Sequence, residues 1–287
     1  MNASYFRMFY FTIVFFSIVH EVGAQAAVAD NGKIVTVKGL KLYYEESGEG
    51  MTLLLLHNFF SSASEWQPLT REFSRRYRVI AVDLPGHNRS DYMDTTNVYL
   101  HEKAAEYIIG LLDALKIDSL YVIGASSGGF ITLYMATQRP ELIKKIIIVG
   151  GQIFYSAHTR EVISGLGRAT GITERLGRSG AVKLHGKTKL DLLEKQFWNF
   201  RKLYGDPSFT PDVLATIKAK ALIIHGDNDR IAPLSNALEM HKNIPHASLW
   251  VVPNGGHLPH FVPANQADFL RRTQEFMDGD WSKNLNR

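Results

Sequence analysis

The sequence predicts an α/β protein in which a mostly parallel central sheet is covered by helices on both faces. Short and almost wholly apolar runs recur along the chain, and runs with helical spacing separate them. Strands that are apolar on both faces are typical of a parallel sheet buried between two helical layers. A Gly-x-Ser-x-Gly sequence lies between one such strand and the helix that follows, and it marks a candidate site.

The composition bounds the size and the class of the protein. The chain has 287 residues, of which 45% are hydrophobic and 21% are charged. These values are ordinary for a globular protein, and the length fits one large domain with an insertion or two small domains. The formal net charge of +4 is spread along the chain without a block rich in Lys and Arg. We therefore expect no nucleic-acid partner.

Residues 1–26 have the pattern of a secretory signal peptide. Arg7 precedes an apolar core at residues 8–19, and small residues around Ala24 and Ala26 follow it. The core is shorter than the roughly 20 residues that a bilayer-spanning helix needs. We expect cleavage after Ala26, export to a bacterial periplasm or the medium, and no stable membrane span afterwards. An uncleaved N-terminal anchor is the alternative.

The chain contains no cysteine, so the exported protein would have no disulfides. A mature chain of about 260 residues can be held together by its core alone. The absence of cysteine also excludes a thiol nucleophile and a thiolate metal site. No His, Asp and Glu cluster shows metal-ligand spacing, so we expect no metal.

The local pattern justifies each predicted element in chain order. Two runs flanking Gly39 predict a hairpin at residues 34–37 and 41–45. The apolar run at residues 52–57 predicts a buried strand, and the amphipathic run at residues 65–77 predicts a helix. The same reasoning predicts a helix at 98–116 and strands at 78–83, 120–123, 145–149, 221–225 and 249–252.

Residues 151–212 interrupt this alternation. They lack a β-branched run, they carry scattered basic residues and glycines, and they include an aromatic group at Phe197, Trp198, Phe200 and Tyr204. We predict a helical cap here, inserted between two core segments at 27–150 and 213–287 and lying over the strand ends.

The Gly-Ala-Ser-Ser-Gly sequence at residues 124–128 is the strongest functional motif. An apolar strand precedes it and an apolar helical run follows it, which is the setting of a nucleophile elbow with Ser126 at its apex. A serine in an ordinary glycine-rich loop would look the same. An acid and a histidine at later strand ends would decide between the two.

Both residues are present in the required order. Asp229 follows the predicted strand at 221–225, and His257 follows the strand at 249–252. The order Ser, Asp, His, with each residue just past a strand, is that of a nucleophile-elbow hydrolase. Asp227 and His260 are the second choices for acid and base. We expect His87, His101 and His225 to be polar residues of loops or strand ends.

With these motifs, the sequence resembles the α/β-hydrolase fold superfamily over nearly all of residues 33–277. His57-Asn58-Phe59-Phe60 resembles the family's His-Gly-x-x stretch, and residues 83–90 resemble its Asp-x-x-Gly-x-Gly-x-Ser turn. The resemblance implies hydrolysis without a cofactor, with the insertion serving as a cap.

Residue chemistry then suggests a mechanism. Ser126 is the expected nucleophile, His257 the base that removes its proton, and Asp229 the residue that orients the imidazole. The backbone N–H groups of Phe59 and Ser127 are the expected oxyanion hole, with the helix dipole favouring the charge at Ser127.

Two positions depart from the family pattern. Asn58 and Asn88 stand where the family usually has glycine, and Asn is the side chain that best tolerates left-handed backbone. Asn58 either narrows the acyl pocket or points to solvent, and the sequence leaves both open. Asn58, Phe60 and Trp198 are the candidate substrate contacts.

The resulting prediction is an exported serine hydrolase that acts on a small-molecule ester or related acyl substrate through an acyl-enzyme. Hydrolysis of a C–C bond, a lactone or an amide, and perhydrolysis, are alternatives on the same fold. A non-catalytic ligand-binding relative is a further alternative. The oligomeric state is not predicted.

Overall fold

The structure is a computed structural model that describes residues 32–93, 97–166 and 177–279. The predicted signal peptide lies outside the described residues. No helix among the described residues is long and apolar enough to cross a membrane. The described residues form one compact unit.

An eight-stranded sheet forms the centre of this unit, with the spatial order β1-β2-β4-β3-β5-β6-β7-β8. β1 and β2 form the predicted hairpin, and β2 also pairs antiparallel to β4. All the other neighbours pair in parallel. The strands are β1 (Gly32–Val37), β2 (Leu40–Ser47), β3 (Thr52–Leu56), β4 (Arg78–Val82), β5 (Leu120–Ala125), β6 (Ile143–Val149), β7 (Lys220–Gly226) and β8 (Ala247–Val252).

Helices cover both faces of the sheet. Those that the structure describes are α1 (Gln67–Phe73), α2 (His101–Ala114), α3 (Ser127–Gln138), α4 (Ala157–Leu166), α5 (Gly177–His185), α6 (Lys187–Asn199), α7 (Pro211–Ala215), α8 (Leu234–Asn243) and α9 (Pro263–Asp278). The predicted helix at 65–77 is shorter, because a 3-10 turn at Ala63–Trp66 precedes α1.

The alternation of side chains in β3 divides the core into two layers. Leu54 and Leu56 pack in a cluster with residues of α2, α3 and α8. Leu53 and Leu55 pack on the opposite face with residues of α1 and α9. All four leucines are fully buried, which is the burial expected of a central parallel strand. The predicted α/β class is therefore confirmed.

The segment between β6 and β7 contains α4, α5, α6 and α7. The carboxyl ends of β3 to β8 lie along one edge of the sheet, because these strands are parallel. Such an edge is where sites form in open α/β sheets. The segments after β3, β5, β7 and β8 carry the predicted site residues to it.

Candidate active site

Ser126 lies at a strained turn between β5 and α3. Its backbone angles are φ 49° and ψ −112°, in the left-handed half of the map that a residue with a Cβ rarely adopts. Close packing forces glycine at both flanks of the turn. A Cβ on Gly124 would lie 2.3 Å from the carbonyl oxygen of Gly128, and one on Gly128 would lie 2.2 Å from that of Leu56. The local structure is thus the predicted nucleophile elbow.

The structure brings Ser126, His257 and Asp229 into one hydrogen-bonded chain. His257 Nε2 lies 2.9 Å from Ser126 Oγ, and His257 Nδ1 lies 2.7 Å from Asp229 Oδ2. The side chain of Asp229 is 1% exposed and that of His257 is 17% exposed. Of these two residues, only His257 therefore reaches solvent. These are the contacts that a serine nucleophile needs for proton transfer to a base.

Asp229 is held as an oriented carboxylate. Its Oδ1 accepts hydrogen bonds from the backbone N–H groups of Ile231 and Ala232, at 2.8 and 2.9 Å. Burial opposes its ionisation, but the charge and hydrogen bond of His257 and these two amides outweigh burial and lower the pKa of Asp229. Because the two amides bind Oδ1, the other oxygen, Oδ2, is oriented toward His257. Asp227, the second choice, is exposed and makes no such contact.

The two candidate oxyanion donors line the same cavity as Ser126. Ser127 is the first residue of α3, where a backbone N–H has no partner within the helix. Phe59 lies in the segment after β3, and its backbone N–H donates to no other group among the described residues. Both N–H groups are thus available to a ligand.

A buried histidine holds the loop that carries Phe59. Since a carbonyl oxygen only accepts and an amide N–H only donates, His57 Nδ1 must donate to Asn58 O at 2.7 Å while Nε2 accepts from Leu84 N at 2.9 Å. This pattern suits the neutral imidazole alone. Burial is the main cause that lowers the pKa of His57 to about 4.

A second histidine, at the end of α5, ties that loop to the turn after β4. His185 Nδ1 accepts from the backbone N–H of Asn88 at 3.0 Å, and Nε2 donates to the carbonyl of Phe60 at 2.9 Å. Burial lowers the pKa of His185, in keeping with a neutral ring. No sequence motif pointed to His185, because its partners lie about 100 residues away.

The expectation that Asn58 and Asn88 both adopt left-handed backbone is met only at Asn88. Asn88 has a φ of 41°, as proposed for its glycine-like turn. Asn58 is not among the residues with positive φ; Phe60 is, with a φ of 66°. The side chain of Asn58 also does not point to solvent alone: its amide donates to Glu65, and both residues line the cavity.

The cavity next to Ser126 has a volume of about 990 Å³. Six rings form a continuous aromatic wall along it, with neighbouring centroids 4.9 to 5.9 Å apart: Phe59, Phe60, Phe130, Tyr155, Phe197 and Phe200. Another set of apolar residues surrounds the His257 end: Ile231, Leu258, Phe261 and Val262.

Trp198 does not line this cavity, contrary to the expectation. In α6 consecutive side chains point about 100° apart, so Phe197 faces the cavity and Trp198 turns away. The guanidinium of Arg201 lies 3.4 Å from the centroid of the indole ring. Phe197 and Phe200 take the place predicted for Trp198.

Among the described residues, no group of three or more His, Asp or Glu could hold a metal ion.

His101, expected in a loop, is instead fully buried at the start of α2, with Nε2 3.1 Å from Ser127 Oγ. Phe130, Tyr155 and Phe200, which pack around its ring, come from distant segments, so no local pattern indicated this position.

This fold and this constellation define an α/β hydrolase. The chain belongs to the alpha/beta hydrolase family, whose model matches residues 53–269. It is 30% identical over 278 residues to a 2-hydroxy-6-oxo-6-phenylhexa-2,4-dienoate hydrolase of Burkholderia cepacia, an alignment that covers 85% of this chain and 96% of that protein. The resemblance drawn from the sequence motifs is therefore confirmed.

Solved structures show the same fold. A meta-cleavage product hydrolase from Pseudomonas fluorescens superposes with a TM-score of 0.66 at 22% identity, covering 87% of this chain and 98% of its own. A thermophilic esterase from Thermogutta terrifontis superposes with a TM-score of 0.69 at 19% identity, covering 86% and 98%.

Proposed function

We propose that this protein is a serine hydrolase that cleaves a carboxylic ester or a related acyl substrate through an acyl-enzyme on Ser126. The observation that carries the proposal is the hydrogen-bonded chain from Ser126 through His257 to Asp229. Distances of 2.9 and 2.7 Å place nucleophile, base and orienting acid within reach of one another.

Each residue has a definite task in this reaction. His257 Nε2 takes the proton of Ser126 as the oxygen attacks the carbonyl carbon, and the same nitrogen then protonates the leaving alkoxide. Asp229 keeps Nδ1 protonated and stabilises the imidazolium. The oxyanion is bound by the backbone N–H groups of Phe59 and Ser127. Water attacks the acyl-enzyme by the same route in reverse.

The aromatic wall supports a mainly apolar acyl group. Six rings along a cavity of about 990 Å³ favour an apolar group over a highly charged one. C–C bond hydrolysis is the second candidate. The Burkholderia cepacia relative, at 30% identity, is named as a hydrolase of a phenyl-substituted dienoate.

A paired measurement tests the catalytic proposal. Purified protein and its Ser126→Ala variant are assayed on p-nitrophenyl esters of increasing chain length and on a 2-hydroxy-6-oxo-dienoate. We expect ester turnover and fluorophosphonate labelling of Ser126, with a loss of at least about 10⁴-fold in kcat in the variant. Turnover of the dienoate alone would favour the second candidate. If the protein shows no turnover of any substrate and no labelling of Ser126, the result would favour a ligand-binding protein.

Export is a separate part of the proposal, and the N-terminal sequence supports it. The apolar core at residues 8–19 and the Ala-x-Ala site predict a mature N-terminus at Ala27. Mass spectrometry of the protein from its native host tests this prediction. A mature chain that begins at Met1 would contradict cleavage and favour the anchor.

A further inference from the structure

A second, buried cluster of a serine, a histidine and an aspartate, Ser127, His101 and Asp206, lies directly beside the catalytic residues, although His101 Nδ1 makes no hydrogen bond in it. His101 Nε2 is 3.1 Å from Ser127 Oγ, and His101 Nδ1 is 3.4 Å from Asp206 Oδ2. Each of these side chains is at least nine-tenths buried. The reaction proposed above uses only the backbone N–H of Ser127, so the side chains of this cluster have no role in that reaction.

The carboxylate of Asp206 favours one direction for the hydrogen bond between His101 and Ser127. Asp206 Oδ2 accepts the backbone N–H of His101 and also faces Nδ1 of its ring. In the neutral ring, this carboxylate stabilises a proton on Nδ1 rather than on Nε2. With the proton on Nδ1, Nε2 accepts a hydrogen bond and the O–H of Ser127 donates it. The lone pairs of Ser127 Oγ remain available.

Ser127 lies at a defined end of the cavity. Ser127 lines it beside Ser126, and the Cα atoms of consecutive residues are about 3.8 Å apart. Three rings around His101 also line the cavity: Phe130 at 4.9 Å, Phe200 at 5.3 Å and Tyr155 at 6.5 Å between centroids. The leaving group must face His257, which protonates it, so the His101 end is left for the acyl group.

We propose that Ser127 Oγ is a hydrogen-bond acceptor for a hydroxyl group of the acyl chain, on the first or second carbon beyond the scissile carbonyl. The His101–Asp206 pair keeps the hydroxyl of Ser127 in the accepting role. The enzyme therefore prefers 2-hydroxyacyl or 3-hydroxyacyl esters to the unsubstituted ester. This inference rests on the proposed acyl-enzyme reaction at Ser126.

The aromatic residues around Ser127 increase the expected preference for a hydroxy ester. Phe130, Tyr155 and Phe200 present mainly apolar surface at the same end of the cavity. A substrate hydroxyl placed there loses its water and needs a partner. An acyl chain without a hydroxyl leaves Ser127 Oγ with unused acceptor capacity in a dry site. One hydrogen bond of this kind corresponds to about a tenfold preference.

The test compares ethyl butanoate with ethyl 2-hydroxybutanoate and ethyl 3-hydroxybutanoate in a pH-stat. The quantity compared is the ratio of kcat/KM for each hydroxy ester to that for ethyl butanoate. We expect a ratio of about ten for at least one hydroxy ester in the wild type. Ser127→Ala should bring that ratio to about one, and Ser127→Thr, which keeps a hydroxyl, should retain most of it.

The ratio separates this inference from simpler roles. A packing role for Ser127 would lower turnover of all three esters alike and leave the ratio unchanged, which would overturn the proposal. A wild-type ratio near one would overturn it as well. If Ser127→Ala does not fold, His101→Gln provides the second variant, and an unchanged ratio there has the same meaning. Absence of turnover on every ester, with no labelling of Ser126, would instead refute the proposed reaction.

Discussion

The neutral state of His57 predicts a specific loss of stability in acid. In the folded protein its ring donates to Asn58 O and accepts from Leu84 N, and burial lowers its pKa to about 4. In the unfolded chain the pKa returns to about 6.5. Between these values the unfolded chain binds a proton that the folded protein does not bind. The free energy of unfolding therefore falls as the pH decreases from about 6.5 to about 4.

The size of this effect follows from the two pKa values. Each pH unit in that window is worth about 1.4 kcal/mol, so His57 lowers the free energy of unfolding by about 2.5 kcal/mol at a pH near 4.5. Below a pH of about 4 the loss levels off, because the ring then becomes protonated in the folded protein as well. His87, His185 and His225 are buried with lowered pKa values too, so the wild type should lose more than this in total.

A pair of variants isolates the contribution of His57. Urea unfolding at pH near 7.5 and near 4.5 is followed for the wild type, His57→Gln and His241→Gln. Gln can imitate one donor and one acceptor of the ring but does not titrate, so His57→Gln should lose about 2.5 kcal/mol less between the two pH values. His241 is exposed on α8 and controls for the loss of a histidine. An equal loss in the wild type and His57→Gln would refute the reasoning.

Three further changes have expected outcomes. Asp229→Asn keeps the shape of the side chain but removes the charge that stabilises the imidazolium, and should lower kcat by about 10³- to 10⁴-fold in an ester assay, whereas unaltered kcat would remove Asp229 from the mechanism. Gly128→Ala places a Cβ 2.2 Å from the carbonyl of Leu56 and should lower the free energy of unfolding by more than about 2 kcal/mol. The matched change Gly165→Ala, where no atom lies within 4 Å, should be neutral or stabilising by up to about 1 kcal/mol, and equal effects of the two in urea unfolding would contradict the packing argument. His185→Ala removes the contacts to Phe60 O and Asn88 N, and should lower thermal stability and raise KM for esters; unchanged values of both would show that the contacts have no functional weight.

The features that local sequence specifies were predictable. Buried strands such as β3 show as apolar runs, and parallel strands bring their carboxyl ends to one edge. Ser126, Asp229 and His257 could be chosen because each follows such a strand. Their mutual distances are then a consequence of the sheet order.

The features that depend on packing between distant segments could not be read in this way. Phe197 and Trp198 are neighbours of similar character, and only the rotation of α6 against the sheet decides which of them faces the cavity. The contact of His101 with Asp206 joins residues 105 positions apart. Asn58 had the side chain suited to a left-handed turn, but the turn falls at Phe60, whose carbonyl His185 binds from the cap.

The position of His257 after β8 has a consequence for how the protein matures. Ser126 and His257 are separated by 131 positions, and β8 is the last strand along the chain and lies at the edge of the sheet. A chain that has been synthesised or folded only as far as β7 holds the serine but lacks its base. The hydroxyl therefore stays unreactive until the sheet is complete, and reaction with a fluorophosphonate reports that the whole domain has folded.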